Sequence, residues 1–173
     1  IPPDFIFVLA KPKMGRSIKP YINYYYAHDL PVMATSSIFT GKSAPQTDID
    51  LNGIEFPDIP LLLSELPKFK QTRQSLGQTQ PEVLGASSRH FALGYDSYSM
   101  LNQLSILRAF PEYRWDGLTG ELGVDEQGLV HRYLTWAKFN RGVPQVTKER
   151  EIKSLDEQTK INDSKESISL SSN

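Results

Sequence analysis

The feature that most constrains this fold is a pair of short apolar runs separated by a helix-like segment. Residues 5–9 (FIFVL) and 30–34 (LPVMA) lack the polar alternation of a half-exposed strand, which is typical of strands buried on both faces of a parallel sheet. Residues 17–29 carry apolar side chains at helical spacing, with Ser17 as the N-cap. Strand, helix and strand within about 30 residues predict a βαβ unit with a right-handed crossover.

Beyond this unit the pattern predicts a loop, a short strand, a short helix, a polar segment, one long helix and a hairpin. In chain order these are residues 35–50, 53–56, 60–63, 68–80, 91–110 and the strand pair 118–124 and 129–133. The segment 68–80 is polar, which indicates a mobile or weakly helical stretch. The helix 91–110 carries a broad apolar stripe, the pattern of a helix that packs on a core.

Composition divides the chain into one domain and a tail. Hydrophobic residues make up 39% of the 173 residues, enough for a single α/β domain. Residues 147–173 contain no aromatic side chain and are rich in Ser and in charges of both signs. Such a segment buries too little surface to offset its ordering entropy. We therefore assign residues 1–146 to the domain and predict that 147–173 is a disordered polar tail.

Charge and cysteine content exclude several classes of function. The chain has 19 Lys and Arg against 20 Asp and Glu, so it lacks the basic excess that holds a phosphate backbone and is not expected to bind nucleic acid. It has no cysteine, which removes thiol catalysis and cysteine-ligated metals. No apolar run approaches the roughly 20 residues that span a bilayer.

Motifs for catalysis and cofactors are also missing from the sequence. There is no nucleophile elbow, no zinc-protease helix motif and no glycine-rich phosphate loop after the first apolar run. The histidines His28, His90 and His131 share no spacing that places two on one face for a metal. We expect no catalytic residue, no metal and no cofactor, although a single sequence does not reveal residues that the fold assembles.

Two groups of residues are candidates for binding a small ligand. Ser36, Ser37 and Thr40 follow the second apolar run, and ligands of open α/β sheets bind where parallel strands end. Tyr95 and Asp96 are predicted to open the long helix, where they would face the same cleft. The structural alternative is that the first group is ordinary loop composition and that Asp96 simply favours the helix dipole.

An aromatic cluster at residues 24–26 is the candidate partner surface. Three consecutive tyrosines on a helix point about 100° apart, so they do not all reach one core. Tyrosine is enriched at protein interfaces, which indicates Tyr24 and Tyr26 as partner-facing residues. The structural alternative is that these rings shield strand edges.

Several segments, taken in order, resemble a known family. The runs 3–8 (PDFIFV) and 30–36 (LPVMATS), with 94–98 (GYDSY) and 117–125 (GLTGELGVD), resemble type 1 periplasmic-binding-protein folds. Three further runs narrow the resemblance to the LpoA-type penicillin-binding-protein activators: 24–32 (YYYAHDLPV), 50–60 (DLNGIEFPDIP) and 132–139 (RYLTWAKF). The resemblance covers roughly residues 3–143, and the tail has no counterpart in it.

The resemblance implies a fold and a role. The fold is α/β: a three-layer αβα, type 1 periplasmic-binding-protein-like arrangement with mostly parallel sheets, present as the C-terminal portion of a two-lobed domain. The implied role is a non-enzymatic regulator of peptidoglycan synthesis. It binds and activates a bifunctional penicillin-binding protein from the periplasmic side of the outer membrane, and peptidoglycan is a second candidate partner.

The same resemblance leads us to interpret the chain as a fragment. It starts at Ile1 and enters an apolar strand almost at once. We expect an incomplete sheet with an exposed apolar edge, and a lipid anchor that lies outside this sequence. The alternative function is a periplasmic receptor that closes on a small solute between two lobes. A cell-wall hydrolase or a DNA-binding repressor is a more distant alternative.

Overall fold

The computed structural model describes residues 3–25 and 29–148, and all structural statements refer to these residues. Tyr26, His28 and positions 149–173 of the predicted tail lie outside the described residues. The α-helices are α1 (Pro12–Tyr24), α2 (Pro45–Asp48), α3 (Pro60–Leu63), α4 (Pro67–Thr79) and α5 (Ser88–Ala109). The strands are β1 (Ile6–Val8), β2 (Val32–Ala34), β3 (Ile54–Asp58), β4 (Trp115–Asp116), β5 (Glu121–Val124), β6 (Val130–Tyr133), β7 (Thr135–Asn140) and β8 (Val143–Lys148).

The strands form one five-stranded and one three-stranded sheet. The larger sheet has the order β1-β2-β3-β7-β8, in which β1, β2 and β3 are parallel and β7 and β8 are antiparallel to their neighbours. Ile6 pairs with Val32, which pairs with Ile54. The smaller sheet, β4-β5-β6, is antiparallel. The predicted βαβ unit and α/β class are confirmed.

Phenylalanine rings form the centre of the larger sheet's core. Phe39, Phe56 and Phe139 are buried, with ring centroids 5.0 to 6.1 Å apart. A second cluster joins α3, α4 and α5 through Leu61, Phe69 and Ala92. Half-buried Leu62 packs against both clusters, so they form one continuous apolar interior.

The first strand is buried on one face only, which corrects the prediction of two buried faces. Val8 and Ala10 enter the core, whereas Phe5, Phe7 and Leu9 are 52%, 60% and 76% exposed. β1 is the edge strand of its sheet, with β2 as its neighbour. An apolar face therefore lies open at this edge, and the expected exposed apolar edge is confirmed.

The first helix begins six residues and ends five residues earlier than predicted. Its N-cap is Lys11 instead of Ser17, because Pro12 fits the first helical position, where no N–H partner is needed. Residues 12–15, which precede the predicted N-cap, are therefore helical. The helix ends at Tyr24, and Asp29 lies beyond it.

Two segments predicted to lack firm structure contain helices. Residues 35–50 include α2, where buried Asp48 accepts hydrogen bonds from Nε and Nη2 of Arg16 at 3.0 and 2.6 Å. The polar segment 68–80 lies almost wholly in α4, which buries Phe69 and Leu76. In both cases one or two buried side chains make the long-range contacts that stabilise the helix. The polar residues around them hide this signal in the sequence.

The hairpin prediction is confirmed in β5 and β6, with Gly128 at φ 83° in the turn. A second hairpin, β7 to β8, was not predicted. Arg141 and Gly142 both take positive φ, 52° and 72°, as a tight hairpin turn of this kind requires. β8 extends the sheet to Lys148, so the sheet passes the predicted domain boundary at residue 146.

The burial of the long helix differs from the prediction. α5 spans the predicted segment, but Tyr98 and Leu101 of its apolar stripe are 74% and 70% exposed. Its buried positions include Ser88, Ala92 and Asp96. In the part of the chain that the structure describes, no helix combines the length and apolarity needed to cross a membrane.

Candidate functional site

The edge where the parallel strands end is occupied by an ion pair. Asp58 closes β3 and is 1% exposed. Its Oδ1 accepts hydrogen bonds from the backbone N–H of Ile59 at 2.8 Å and from Nε of Arg89 at 2.9 Å, while Nη2 of Arg89 contacts Oδ2. This paired geometry gives the buried carboxylate the counter-ion that it requires.

Arg89 also binds the segment that follows β2. Its Nη2 donates to the backbone carbonyls of Ser36 at 3.1 Å and Phe39 at 3.0 Å. One guanidinium in the first turn of α5 therefore holds the ends of two parallel strands. Sequence reasoning missed this contact, because its partners lie 31 to 53 positions apart and no local motif joins them.

Two of the predicted hydroxyl ligands, Ser37 and Thr40, form hydrogen bonds with the chain itself. The Ser37 hydroxyl lies 2.6 Å from Oγ1 of Thr35 and donates to the carbonyl of Ala10 at 3.2 Å. The Thr40 hydroxyl donates to the carbonyl of Lys42 at 3.0 Å. These bonds shape the loop, and they leave the hydroxyls less free for a solute.

Asp96 on α5 holds the segment between β4 and β5 by hydrogen bonds. It is 2% exposed, and its carboxylate accepts the backbone N–H groups of Leu118 at 2.8 Å and Thr119 at 2.7 Å and the Thr119 hydroxyl at 2.6 Å. A Cβ on Gly117 would lie 2.5 Å from Oδ2 of Asp96, so only glycine fits there. The carboxylate that was predicted as a ligand is engaged in holding residues 117–119.

Tyr95 and Asp96 do not open their helix, which corrects the sequence interpretation. α5 begins at Ser88, and both residues lie near its middle. Tyr95 is 51% exposed, and its ring stacks on Phe91 with centroids 6.3 Å apart. Arg89, which touches the Ser36 segment, lies about 9 Å before Tyr95 along the helix axis. Among the described residues, no hydrogen bond joins the Ser36, Ser37 and Thr40 group to Tyr95 and Asp96.

The outer face of α1 is an exposed aromatic surface. We call it the α1 stripe, and its members Met14, Tyr21, Tyr24 and Tyr25 are 60% to 76% exposed. Tyr24 and Tyr25 meet edge to face, with centroids 5.1 Å apart. Exposed rings side by side are typical of surfaces that bind another protein. The assignment of Tyr24 to a partner surface stays a prediction.

The histidines do not form a catalytic or metal centre within the described residues. His90 lies in the first turn of α5 and is exposed. His131 on β6 places Nε2 2.6 Å from Oδ2 of Asp125. This hydrogen bond, with one from the Leu129 N–H, holds the pKa of Asp125 below its ordinary value of 3.8. Within residues 3–25 and 29–148, no cluster of three or more His, Asp or Glu residues is placed to bind a metal.

Known proteins share this architecture. A protein named penicillin-binding protein activator LpoA, from Photobacterium profundum, is 33% identical over 137 residues, which are 79% of this chain and 22% of that protein. The solved LpoA (YraM) C-domain from Haemophilus influenzae, described as a regulator of PBP1A, superposes with a TM-score of 0.65 at 26% identity, over 85% of this chain and 45% of that domain. A solved putative branched-chain amino acid ABC transporter protein from Chromobacterium violaceum gives 0.56 at 25% identity, over 79% and 42%.

These likenesses fix the fold as type 1 periplasmic-binding-protein-like. The chain spans about a fifth of the length of the curated relatives it matches. The model of one family, described as LppC putative lipoprotein, matches residues 3–142, which is most of the sequence. The chain therefore belongs to the LppC lipoprotein family.

Proposed function

We propose that this chain is a non-enzymatic module of a lipoprotein that binds and activates a bifunctional penicillin-binding protein, and so regulates peptidoglycan synthesis. The observation that carries the proposal is the 33% identity, over 79% of the chain, to a protein named as such an activator. The solved C-domain that shares its fold is described as a regulator of PBP1A. In this proposal a lipid anchor outside the present sequence holds the module on the periplasmic side of the outer membrane.

The arrangement of polar groups favours a binding surface over a reaction centre. Asp58, Asp96 and Arg89 form internal ion pairs and hydrogen bonds, which leaves them poorly placed to act on a substrate. The α1 stripe offers rigid rings that lose little rotamer entropy on binding. We therefore place the first contact with the penicillin-binding protein on Tyr24 and its neighbours.

The alternative is a solute receptor, and the likeness to the transporter protein supports it. Such a receptor needs several unengaged polar groups that converge on its ligand. Ser37, Thr40 and Asp96 are instead bonded to the chain itself. Tyr95 is exposed, but it has no second unengaged polar group beside it among Ser37, Thr40 and Asp96, so the activator function is favoured.

Titration calorimetry tests the proposal directly. The 173-residue chain is titrated into the soluble periplasmic part of a bifunctional penicillin-binding protein, after circular dichroism has shown that the chain is folded. We expect saturable binding at micromolar or tighter affinity. Heat of binding absent from a folded chain would contradict the proposal. A rise in melting temperature with amino acids or peptidoglycan fragments would instead support the receptor alternative.

Matched variants locate the contact. Tyr24→Ala removes an exposed ring from the α1 stripe and should weaken binding by about tenfold, or about 1.4 kcal/mol. Phe110→Ala removes an exposed ring after α5 and should leave the affinity unchanged. Equal effects of the two variants would show that the α1 stripe is not the contact surface.

A further inference from the structure

The charges of α1 and the residues around it are all of one sign. Residues 5–28 contain four Lys and Arg side chains and no Asp or Glu. The chain as a whole has a net charge of -1, so this positive charge is local to α1. A local charge on a nearly neutral protein indicates a specific electrostatic contact, since it is not a property of the whole surface.

Two of these four cations are already engaged inside the protein. Arg16 donates to buried Asp48, and Lys19, which is 6% exposed, donates from Nζ to Oδ1 of Asn23 at 2.6 Å. Lys11 and Lys13 are exposed, and among residues 3–25 and 29–148 neither forms an ion pair. We call these two lysines the basic end of α1.

The basic end shares the outer side of the helix with the α1 stripe. At about 100° per residue, Lys13, Met14, Tyr21 and Tyr24 lie within about 100° of one another around the helix axis, and Lys13 and Tyr24 are about 16 Å apart along it. Buried Gly15 lies on the other side, where Ile38 and Leu51 pack against it. One exposed side of α1 therefore combines cations at its start with aromatic rings at its end.

A comparison with α4 shows that the lysines at the start of α1 lack the partners that such lysines have elsewhere. Both helices begin with proline and have no acidic residue in the first turn. In α4, Lys68 pairs with Asp116 at 2.9 Å, and Lys70 pairs with Glu65 at 2.9 Å. A helix N-terminus disfavours cations, so an external carboxylate would relieve an unfavourable arrangement at Lys11 and Lys13.

The aromatic rings distinguish between the anionic partners that could bind here. The planes of Tyr24 and Tyr25 are 90° apart, so the two rings offer no common flat surface on which sugar rings could stack. Helices that lie in a membrane interface present Trp, Phe and Leu, whereas this side of α1 presents tyrosine hydroxyls and exposed Ser17. Tyrosine beside charged groups is typical of a protein interface.

We propose that the basic end of α1 recognises an acidic patch on the penicillin-binding protein. Asp or Glu carboxylates of that protein pair with Lys11 and Lys13, while the α1 stripe supplies the apolar part of the same contact. The pairing orients the two proteins and accelerates their association. This inference rests on the proposed function and adds the chemistry of the partner surface to it.

A charge-matched pair of double variants tests the proposal by titration into the soluble periplasmic part of a bifunctional penicillin-binding protein. Lys11→Gln with Lys13→Gln removes the basic end. Lys68→Gln with Lys70→Gln removes the same charge, at the same spacing, from the start of α4. Thermal unfolding followed by circular dichroism confirms that both variants are folded.

We expect the α1 double variant to bind about tenfold more weakly at low salt, mainly through slower association, and the α4 double variant to bind within about twofold of the unsubstituted chain. Raising the salt from about 50 to about 300 mM should weaken the unsubstituted chain more than the α1 double variant. Equal effects of the two double variants would overturn this proposal and leave the proposed function standing. A folded, unsubstituted chain that does not bind would overturn both.

Carbodiimide cross-linking identifies the partner group directly, because this reagent joins an amine to a carboxylate in contact with it. We expect a cross-link from Lys11 or Lys13 to Asp or Glu of the penicillin-binding protein, mapped by mass spectrometry and absent from the α1 double variant. A cross-link from these lysines to a second copy of the chain would overturn the proposal. So would an α1 double variant that keeps its affinity for the penicillin-binding protein but no longer sediments with purified peptidoglycan.

Discussion

The five-stranded sheet and the α5 region differ in how completely their large side chains are buried. In the larger sheet, Phe39, Phe56 and Phe139 pack against one another and are almost fully buried. On α5, the large side chains of Tyr98 and Leu101 remain more than two-thirds exposed. Both regions have well-formed secondary structure, so the difference lies in packing and not in local conformation.

This contrast shows that the two regions depend on different contacts. The core face of the larger sheet is covered by elements between α1 and β8, whereas the apolar face of β1 at the sheet edge is exposed. α5 is held by hydrogen bonds of Arg89 to Asp58 and of Asp96 to residues 118–119, while Tyr98 and Leu101 remain exposed. Stability should therefore respond to substitution in the core of the sheet far more than at these exposed positions of α5.

The largest expected effect comes from Phe56→Ala. Phe56 is fully buried, with its ring centroid 5.0 Å from that of Phe139. Its truncation should cost about 3–5 kcal/mol of unfolding free energy through lost burial and a residual cavity. Urea unfolding followed by circular dichroism measures the loss.

Leu101→Ala is the matched substitution on α5 and should change stability by less than about 0.5 kcal/mol, because the side chain is already exposed. A loss as large as that of Phe56→Ala would show that Leu101 is covered in solution, and the contrast between the regions would fail.

Arg89→Met should have the next largest effect. The substitution keeps most of the apolar stem but leaves Asp58 buried without its counter-ion. Breaking one side of such a pair costs about 3–5 kcal/mol when both groups are buried, and about 3 kcal/mol here because Arg89 is partly exposed. The double variant Arg89→Met with Asp58→Leu should recover part of the loss. If the single variant were neutral in urea unfolding, the pair would not join the two regions.

Asp96→Asn tests the hydrogen bonds that join α5 to residues 118–119, beside the small sheet. An amide offers one oxygen where the carboxylate accepts three hydrogen bonds, and its NH₂ would face an N–H donor of Leu118 or Thr119. We expect a loss of about 1–3 kcal/mol. Asp50→Asn, at an exposed position, is the control and should be neutral. Equal stabilities would mean that the tie to residues 118–119 contributes little.

The contrast also explains what the sequence could predict. The parallel β1–α1–β2 unit follows from apolar runs and helical spacing, because these elements are covered by near neighbours in the chain. The turn at Gly128 follows from local chemistry, since glycine takes positive φ without strain. Local signals of this kind specify local structure.

The features that the sequence did not predict depend on contacts between residues that are far apart in the chain. Arg89 and Asp58 carry no sequence pattern that pairs them, and part of the apolar stripe on α5, at Tyr98 and Leu101, is exposed instead of packed. Ser36, Ser37, Thr40, Tyr95 and Asp96 were singled out because of their expected positions in the fold. Which of their atoms are free is decided by partners such as Ala10 and Thr119, far away in sequence.

The smallest expected effect concerns the exposed hairpin of the α5 region. Hydrogen bonds from His131 and from the Leu129 N–H lower the pKa of Asp125. A carboxyl whose pKa is lower in the folded state contributes stability above its ordinary value of 3.8, and this contribution is lost as pH falls through the lower folded value. Because the pair is exposed, the contribution should be small and should weaken with salt.

The carboxyl carbon of Asp125, followed by NMR during an acid titration, measures this shift. We expect a midpoint below 3.8 in the unsubstituted chain. His131→Ala should move the midpoint upwards, but not fully to the ordinary value, because the Leu129 N–H still donates to Oδ1 of Asp125. An unmoved midpoint would show that His131 is not bonded to Asp125 in solution. The turn and the strand pairing would then hold the β5–β6 hairpin without this bond.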